Sequence, residues 1–413
     1  MLATNNVKRN AALPMPSYLN DAGPTPWAFR FTLLAVFVYV AKIADVFPQF
    51  AGMGLGKILV GAAIAALILE RGGWRQGLLH NHILRPFLWM VFFVFISVPF
   101  GAWPRNSFFY ITDTFTKDVV LVFLLILTTR TYADIRRVMW VLAINALILD
   151  YALFKYGVTG VTQTLVGRNE IAMISVIALG LLLPLKVEGM GKLIKAGGVV
   201  TLIVAVLFSG SRGGLLGLAF VLATFVYFRF GKKLGLTLMA LILIGDVAYI
   251  QLPPDIRSSV DSIINYEQDY NATAPEGRVE IWKRGLKIVY ENPVLGVGID
   301  NFAVAEGHMD TWIRRPWLTA HNSPLQVAAE IGIPGAVFYL ILIGRMFSAS
   351  QNLRQGPHPD KLSQVGLGLL IALVGYMVSG FFLSQGYSVI FYILMAMSLS
   401  AARIAADLKA KEG

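Results

Sequence analysis

Cysteine is absent, and charge is scarce: only 14% of the 413 residues are Asp, Glu, Lys or Arg. Without thiols there is no disulfide framework, no thiolate metal site and no cysteine nucleophile. So low a charged fraction, beside 56% hydrophobic residues and a mean hydropathy of +0.65, excludes a soluble globular domain, where charged residues run nearer ~25%. No Asp-x-Asp pair occurs, so the usual metal clamp for a nucleotide-sugar donor is missing. The residues up to about Trp27 are polar and Pro-containing rather than basic and then apolar, so no cleavable signal peptide is expected and the first membrane helix is the expected targeting signal.

What is present is a succession of apolar runs. A bilayer core of ~30 Å needs ~20 apolar residues per helix, and about twelve spans are predicted by that measure. They cover Phe29–Phe47, Leu55–Leu69, Phe87–Phe100, Asp118–Thr129, Ile135–Phe154, Glu170–Leu185, Ile194–Phe208, Gly213–Tyr227, Leu234–Ile250, Pro324–Phe347, Gln364–Phe382 and Ser388–Ala405. The formal charge of +11 would suggest nucleic acid in a soluble chain. Here the basic residues fall in every second connection, as with Arg71, Arg75 and Arg85, then Arg130, Arg136 and Arg137, then Lys186, Lys192 and Lys195. That pattern is the positive-inside bias; it argues against nucleic acid as a partner and predicts both termini in the cytoplasm.

The expected organisation is a cytoplasmic segment 1–28, helices one to nine over 29–250, a loop on the outer side over 251–322, helices ten to twelve over 323–405, and a cytoplasmic tail 406–413. A loop of that length is expected to carry function and a fold of its own. Thr273-Ala274-Pro275-Glu276 reads as a capping box, followed by Val279, Trp282, Leu286, Val289 and Tyr290 at helical spacing until Asn292-Pro293. An amphipathic helix is predicted there, lying against the membrane surface or the bundle.

Three residues stand out once this topology is imposed. Arg212, in Ser209-Gly210-Ser211-Arg212-Gly213-Gly214, falls at the tight outer turn between spans seven and eight. An Arg there gains nothing from the positive-inside bias, and its fork suits bidentate contact with phosphate oxygens among glycines that admit a ligand closely; the plainer reading is an Arg reaching the lipid headgroups. Arg278 opens the loop helix between Glu276 and Glu280, where a solvated ion pair is the ordinary explanation. His321 precedes span ten, and Ser323, Pro324 and Gln326 read as N-cap, first helical residue and capping-box partner. The helix end disfavours imidazolium, and a neutral imidazole is able to take a proton from an attacking hydroxyl; a loop histidine bonded to backbone is the alternative.

Other patterns carry less. Gly52-Met53-Gly54-Leu55-Gly56-Lys57 imitates a phosphate-binding loop without a βαβ context. His308, Asp310 and His321 match no recognised metal-ligand spacing, and no metal is expected. Lys42 and Asp45, one helical turn apart in the first span, read as an ion pair in preference to the lining of a cavity, and Asp246 is a further intramembrane charge.

The Ser211-Arg212-Gly213-Gly214 turn, the segment from Gly277-Arg278 and Trp282 through Gly285-Leu286 to Asn292-Pro293, Leu295-Gly296 and Gly298, and the segment His321-Asn322, Leu325-Gln326, Glu330, Gly332 and Gly335 together resemble the O-antigen ligase and polymerase family of bacterial inner-membrane glycosyltransferases. The resemblance spans about 209–335, and Gly167-Arg168-Asn169-Glu170 is similar to a further family segment. It implies an all-α polytopic bundle of the GT-C type in the bacterial inner membrane, with a periplasmic active site and no metal or cofactor. The implied donor is a glycan on undecaprenyl diphosphate, and the implied acceptor is lipid A-core or a second glycan. By the same resemblance Arg212 and Arg278 hold the donor diphosphate and His321 activates the acceptor hydroxyl. Asn322, Gln326, Glu330, Arg168 and Asn169 are supporting candidates. A ligase is the expected subclass, with a polymerase or a protein O-oligosaccharyltransferase as alternatives. A secondary transporter fits the span number equally well, but it would place charges at the bilayer midplane in two related halves, and no internal repeat is seen.

Overall fold

The computed structural model describes residues 26–70, 78–164, 167–231, 257, 261, 277–308, 317–356 and 359–412. The expected ninth span, the capping box at 273–276 and Asp246 lie outside them. Every regular element among the described residues is helical. In chain order they are α1 (Trp27–Val40), α2 (Leu55–Leu69), α3 (Leu84–Ser97), α4 (Pro104–Tyr110), α5 (Thr116–Thr128), α6 (Tyr132–Thr164), α7 (Arg168–Leu182), α8 (Met190–Ser209), α9 (Arg212–Phe230), α10 (Arg278–Glu291), α11 (Phe302–His308), α12 (Ser323–Gln355), α13 (Asp360–Gly380) and α14 (Val389–Glu412).

Six of these are long and apolar enough to cross a membrane: α6, α8, α9, α12, α13 and α14. Three shorter apolar helices, Trp27–Val40, Leu55–Leu69 and Leu84–Phe100, coincide with the first three expected spans. The protein is a helical membrane protein, and among the described residues six full-length candidates stand where twelve spans were expected. The first expected span stops early, because Lys42 adopts a left-handed conformation (φ 48°) two residues after Val40. The fourth starts earlier than predicted, since α4 runs through a wide turn at Ile111–Phe115 into α5.

Helices α7, α13 and α14 form the centre. Every residue from Ile171 to Leu182 in α7 is buried, and the apolar windows of α13 and α14 are 67% and 78% buried, against 17% for the peripheral α8. Lipid offers helices no hydrophobic drive to associate, so close van der Waals contact must do it, and small residues supply that contact. At Gly180 of α7 a Cβ would sit 2.7 Å from the backbone nitrogen of Ala372 in α13. Gly217 of α9 leaves no room for a Cβ beside Ser379 of α13.

The local structure of α12 positions everything at one end of this bundle. Ile331 and Gly332 leave helical geometry, Gly332 at φ 77° and ψ 173°. Pro334 has no N–H to return to the Glu330 carbonyl. The freed groups are taken up by the Asn292–Gly298 segment: Val297 N–H donates to Ala329 O at 2.8 Å, Gly298 N–H to Glu330 O at 2.9 Å, and Ile333 N–H to Pro293 O at 2.8 Å. Buried backbone groups need partners, and here a helix break and a loop satisfy one another. A small second core of Ile281, Ile288, Val297, Phe302, Ala320 and Ala329 locks α10 and α11 onto the same break.

Candidate functional site

The α8–α9 turn is built by its own sequence. Gly210 takes a left-handed conformation (φ 60°), and the Ser211 hydroxyl accepts from Gly214 N–H at 3.2 Å as the N-cap of α9. Arg212 is thereby the first helical residue and half-buried. Glycine at 213 and 214 lets this helix end press inward: a Cβ on Gly213 would lie 3.1 Å from Phe382, and one on Gly214 would lie 2.6 Å from Ala172.

Arg278 opens α10 with Gly277 as its N-cap. Its guanidinium carbon lies 5.9 Å from the centre of the Phe382 ring, a cation–π distance. One turn on, Trp282 packs edge-on to Phe381 with centroids 5.5 Å apart, and its indole N–H donates to Ala320 O at 3.1 Å. The face of α10 toward the bundle is Ile281, Gly285 and Ile288. Of the expected apolar stripe, Trp282 and Val289 are half-buried, while Val279, Leu286 and Tyr290 are exposed, the last two at 63% and 85%. The sequence stripe at 279, 286 and 290 is therefore the outward one, and glycine at 285 is what admits Leu325 of α12 to the inward one.

His321 follows Ala320 directly and is held in a left-handed conformation, φ 46°. Its backbone N–H donates to Ser384 Oγ at 2.8 Å, and its Nε2 lies 3.4 Å from Thr319 Oγ1. The cap of α12 differs from the expected one. Asn322, not Ser323, is the N-cap, its Oδ1 accepting from Leu325 N–H at 2.9 Å. The Ser323 hydroxyl is used elsewhere, between the carbonyls of Gly380 (2.8 Å) and Leu383 (2.7 Å), while accepting from Gln385 N–H at 3.0 Å. Gln326 Oε1 accepts from Gly386 N–H at 3.2 Å, and the Tyr376 hydroxyl donates to Gln385 O at 2.9 Å. These bonds fasten the 381–388 connection against α12, and they place Phe382 and Ser384 between the three sequence motifs.

Two of the predicted residues thus meet one short segment, Arg278 over the Phe382 ring and His321 through Ser384, and the helix end that carries Arg212 approaches the same segment at Gly213. Burial, and secondarily the positive charge of Arg278, depress the His321 pKa from the ordinary 6.5 to about 4. The imidazole is uncharged at neutral pH. Asn322, Gln326 and Glu330 act on the backbone: Asn322 caps, Gln326 ties the 381–388 segment, and buried Glu330 accepts from Phe302 N–H at 3.2 Å. Arg168, exposed, and Asn169 stand in the first turn of α7 rather than in this cluster. Glu170 beside them pairs with Lys42 at 3.8 Å. Lys42 therefore reaches across to α7 instead of pairing with Asp45, and both line a cavity.

Sequence reasoning did not find Phe382 and Ser384. The one signal available was the Phe381-Phe382-Leu383-Ser384 run closing the eleventh span, which reads as ordinary membrane sequence until α9 and α10 are seen against it. It also did not find the clasp formed by the 101–107 segment, where Ala102 N–H donates to Val297 O at 2.7 Å and the Ser107 hydroxyl to Ile299 O at 2.6 Å.

Residues 197–340, which hold all three motifs, match the family model described as O-antigen ligase. A curated protein of Rickettsia conorii, provisionally named a polysaccharide ligase, is 27% identical over 149 residues, which is 34% of this chain and 34% of that protein. The chain's likeness to that relative thus spans about a third of its length. The resemblance read from the motifs and the family match coincide over the region that holds Arg212, Arg278 and His321.

Proposed function

We propose that this protein is a ligase-type membrane glycosyltransferase that moves a glycan from undecaprenyl diphosphate to an acceptor hydroxyl at the periplasmic face, the acceptor being lipid A-core. The observation that carries the reading is an uncharged imidazole beside a guanidinium, both held at one aromatic segment by separate elements. In this reading Arg212 and Arg278 bind the two phosphates. The acceptor oxygen attacks the anomeric carbon, its proton passes to His321, and the bond from that carbon to the phosphate oxygen breaks. The electron pair leaves on undecaprenyl diphosphate, whose growing negative charge the two guanidinium groups stabilise without nucleotide or metal. A charged histidine would accept no proton; the depressed pKa keeps the imidazole in its accepting form at neutral pH, while making it a weaker base than a free one. The supporting roles of Asn322, Gln326 and Glu330 are to fix the imidazole in place, and Arg168 and Asn169 open the helix whose Glu170 lines the neighbouring cavity.

Family match, relative and cluster chemistry all support glycan transfer; none of them chooses the acceptor. The test is incubation of the purified full chain with an undecaprenyl-diphosphate glycan and either lipid A-core or a second donor molecule. Glycosylated lipid A-core is the expected product. A lengthened lipid-linked glycan in its place would make the protein a polymerase, and no transfer to either would overturn the reading.

A further inference from the structure

Among the described residues only Lys42, Asp300 and His321 have a left-handed backbone without being glycine. That conformation strains any residue with a Cβ, and it persists only where the surroundings over-determine it. Around His321 three bonds do so. The Ala320 carbonyl before it accepts from the Trp282 indole of α10 at 3.1 Å, and Asn322 after it is tied down at 2.9 Å as the cap of α12. These two fix its neighbours. The third holds His321 itself: its N–H lies ahead of the first helical bond of α12, needs a partner from outside, and donates to Ser384 Oγ at 2.8 Å.

Ser384 is a firm anchor because the residues on both sides of it, Leu383 and Gln385, are bonded through their backbones to the Ser323 hydroxyl of α12 at 2.7 and 3.0 Å. Its other side lines a cavity of about 860 Å³, enclosed by α1, the Lys42–Lys57 stretch, α4, α5, the start of α7 and the 384–390 segment. The cavity wall is mostly apolar, and its charges balance, Lys42, Lys57 and Lys117 against Asp45, Asp118 and Glu170, so it presents no net charge to the serine. Ser384 is thus a partition with His321 on one face and the cavity on the other, and the cavity leaves room for a methyl group at its Cβ.

We infer that Ser384 is a positioning residue for the glycan transfer proposed above: its Oγ holds His321 in the left-handed conformation that aims the imidazole at the acceptor hydroxyl. The inference rests on that proposal for the reaction, and on the Ser384 bond alone for the hold. Without the oxygen, residue 321 is free to relax to negative φ, and its Cα–Cβ bond swings with the backbone. A general base must come within ~2.6–3.2 Å of the atom whose proton it takes, and a misplacement of ~1 Å costs roughly 10²-fold in rate.

The test compares Ser384→Ala, Ser384→Val and Ser384→Thr in the purified full chain by steady-state transfer kinetics and by NMR of ring-labelled histidine, the His321 signal being assigned by its loss in His321→Ala. Valine and threonine share a shape and differ in the oxygen, so that pair decides the matter even if the alanine variant fails to fold. Alanine and valine are expected to lower kcat roughly 10- to 100-fold, to leave the donor KM within about twofold, and to move the His321 ring signal; threonine is expected to restore both. In a His321→Ala background Ser384→Val is expected to cost nothing more, because the serine acts through the imidazole. Valine and threonine behaving alike, a ring signal unmoved by valine, or an equal loss of rate in the His321→Ala background would overturn the inference. A ring signal that moves with valine and returns with threonine, in a protein whose wild type transfers no glycan, would leave the hold on His321 standing and sink the proposed reaction.

Discussion

Two rooms on either side of the Ser384 partition are built from different materials. On one side the chain spends backbone devices: a left-handed histidine bonded to Ser384, a helix broken at Gly332, and a first-turn Arg on each of two helices that approach Phe382. On the other it spends side chains, six charged groups of balanced sign set in a mostly apolar wall. The difference teaches what each room is fit to do. Fixed positive charge beside an uncharged imidazole favours an anion and a proton transfer, whereas a mostly apolar pocket whose few charges balance offers an anion no such hold.

The comparison breaks most easily at His321. Replacement by alanine is expected to lower the transfer rate by ~10²–10⁴-fold, the usual worth of a general base, while donor binding stays near the wild-type level. Arg212→Ala is expected to weaken donor binding and rate together. Steady-state kinetics with donor and acceptor varied separately would check both. If His321→Ala mainly raised the donor KM, the imidazole would belong with the phosphate-binding groups instead.

Much of this room was legible in the sequence because its parts are local. Positive-inside charge, the Ser-Arg-Gly-Gly turn and the His-Asn-Ser-Pro helix start each declare themselves within a few residues. The same locality explains what was misread. Ser323 and Asn322 are both good caps, and only the distant carbonyls of Gly380 and Leu383 decide that the serine hydroxyl is taken and the asparagine does the capping. Lys42 was given to Asp45 by helical spacing, yet the chain leaves the helix at Lys42 and the amine meets Glu170 from α7. The cavity was legible only as the lesser reading of Lys42 and Asp45, since its lining comes from stretches as far apart as 35 and 390.

The next effect concerns the break that brings the motifs together. Gly332→Ala places a side chain at φ 77°, where its Cβ runs into the Val294 carbonyl. Backbone strain of that kind costs ~1–3 kcal/mol, so a clear fall in melting temperature is expected, together with loss of transfer. Unchanged stability would mean that the loop and the helix break do not depend on each other.

A smaller effect is read in pH. The His321 pKa is held at about 4, below the ordinary 6.5, so the imidazole stays unprotonated, and competent as a base, until the pH falls to about 4. The acid limb of kcat/KM in the free enzyme is therefore expected near that value. Arg278 contributes to the depression, after burial; Arg278→Ala is expected to move the limb upward, and Arg278→Lys, which keeps the charge, to leave it nearly in place. The lysine variant should nonetheless bind donor less well, because an ammonium lacks the guanidinium fork. A wild-type limb near 6.5 would mean that His321 is solvated in the working enzyme.

The smallest effect tests whether the contrast belongs to one end of the bundle. Lys186 meets Asp360 at 2.6 Å, but both side chains are more than two-thirds exposed, and such pairs contribute little that survives solvent and salt. Asp360 begins α13 and Gly380 ends it; at ~1.5 Å per residue the helix separates this pair from the Phe382 cluster by roughly the thickness of a bilayer core. Lys186→Ala is expected to leave melting temperature, donor KM and the acid limb unchanged within error. A shift in the acid limb alone would mean that α13 transmits charge or strain along its length to His321, and the cluster would then have to be treated as part of a device spanning the membrane rather than as a site confined to one face.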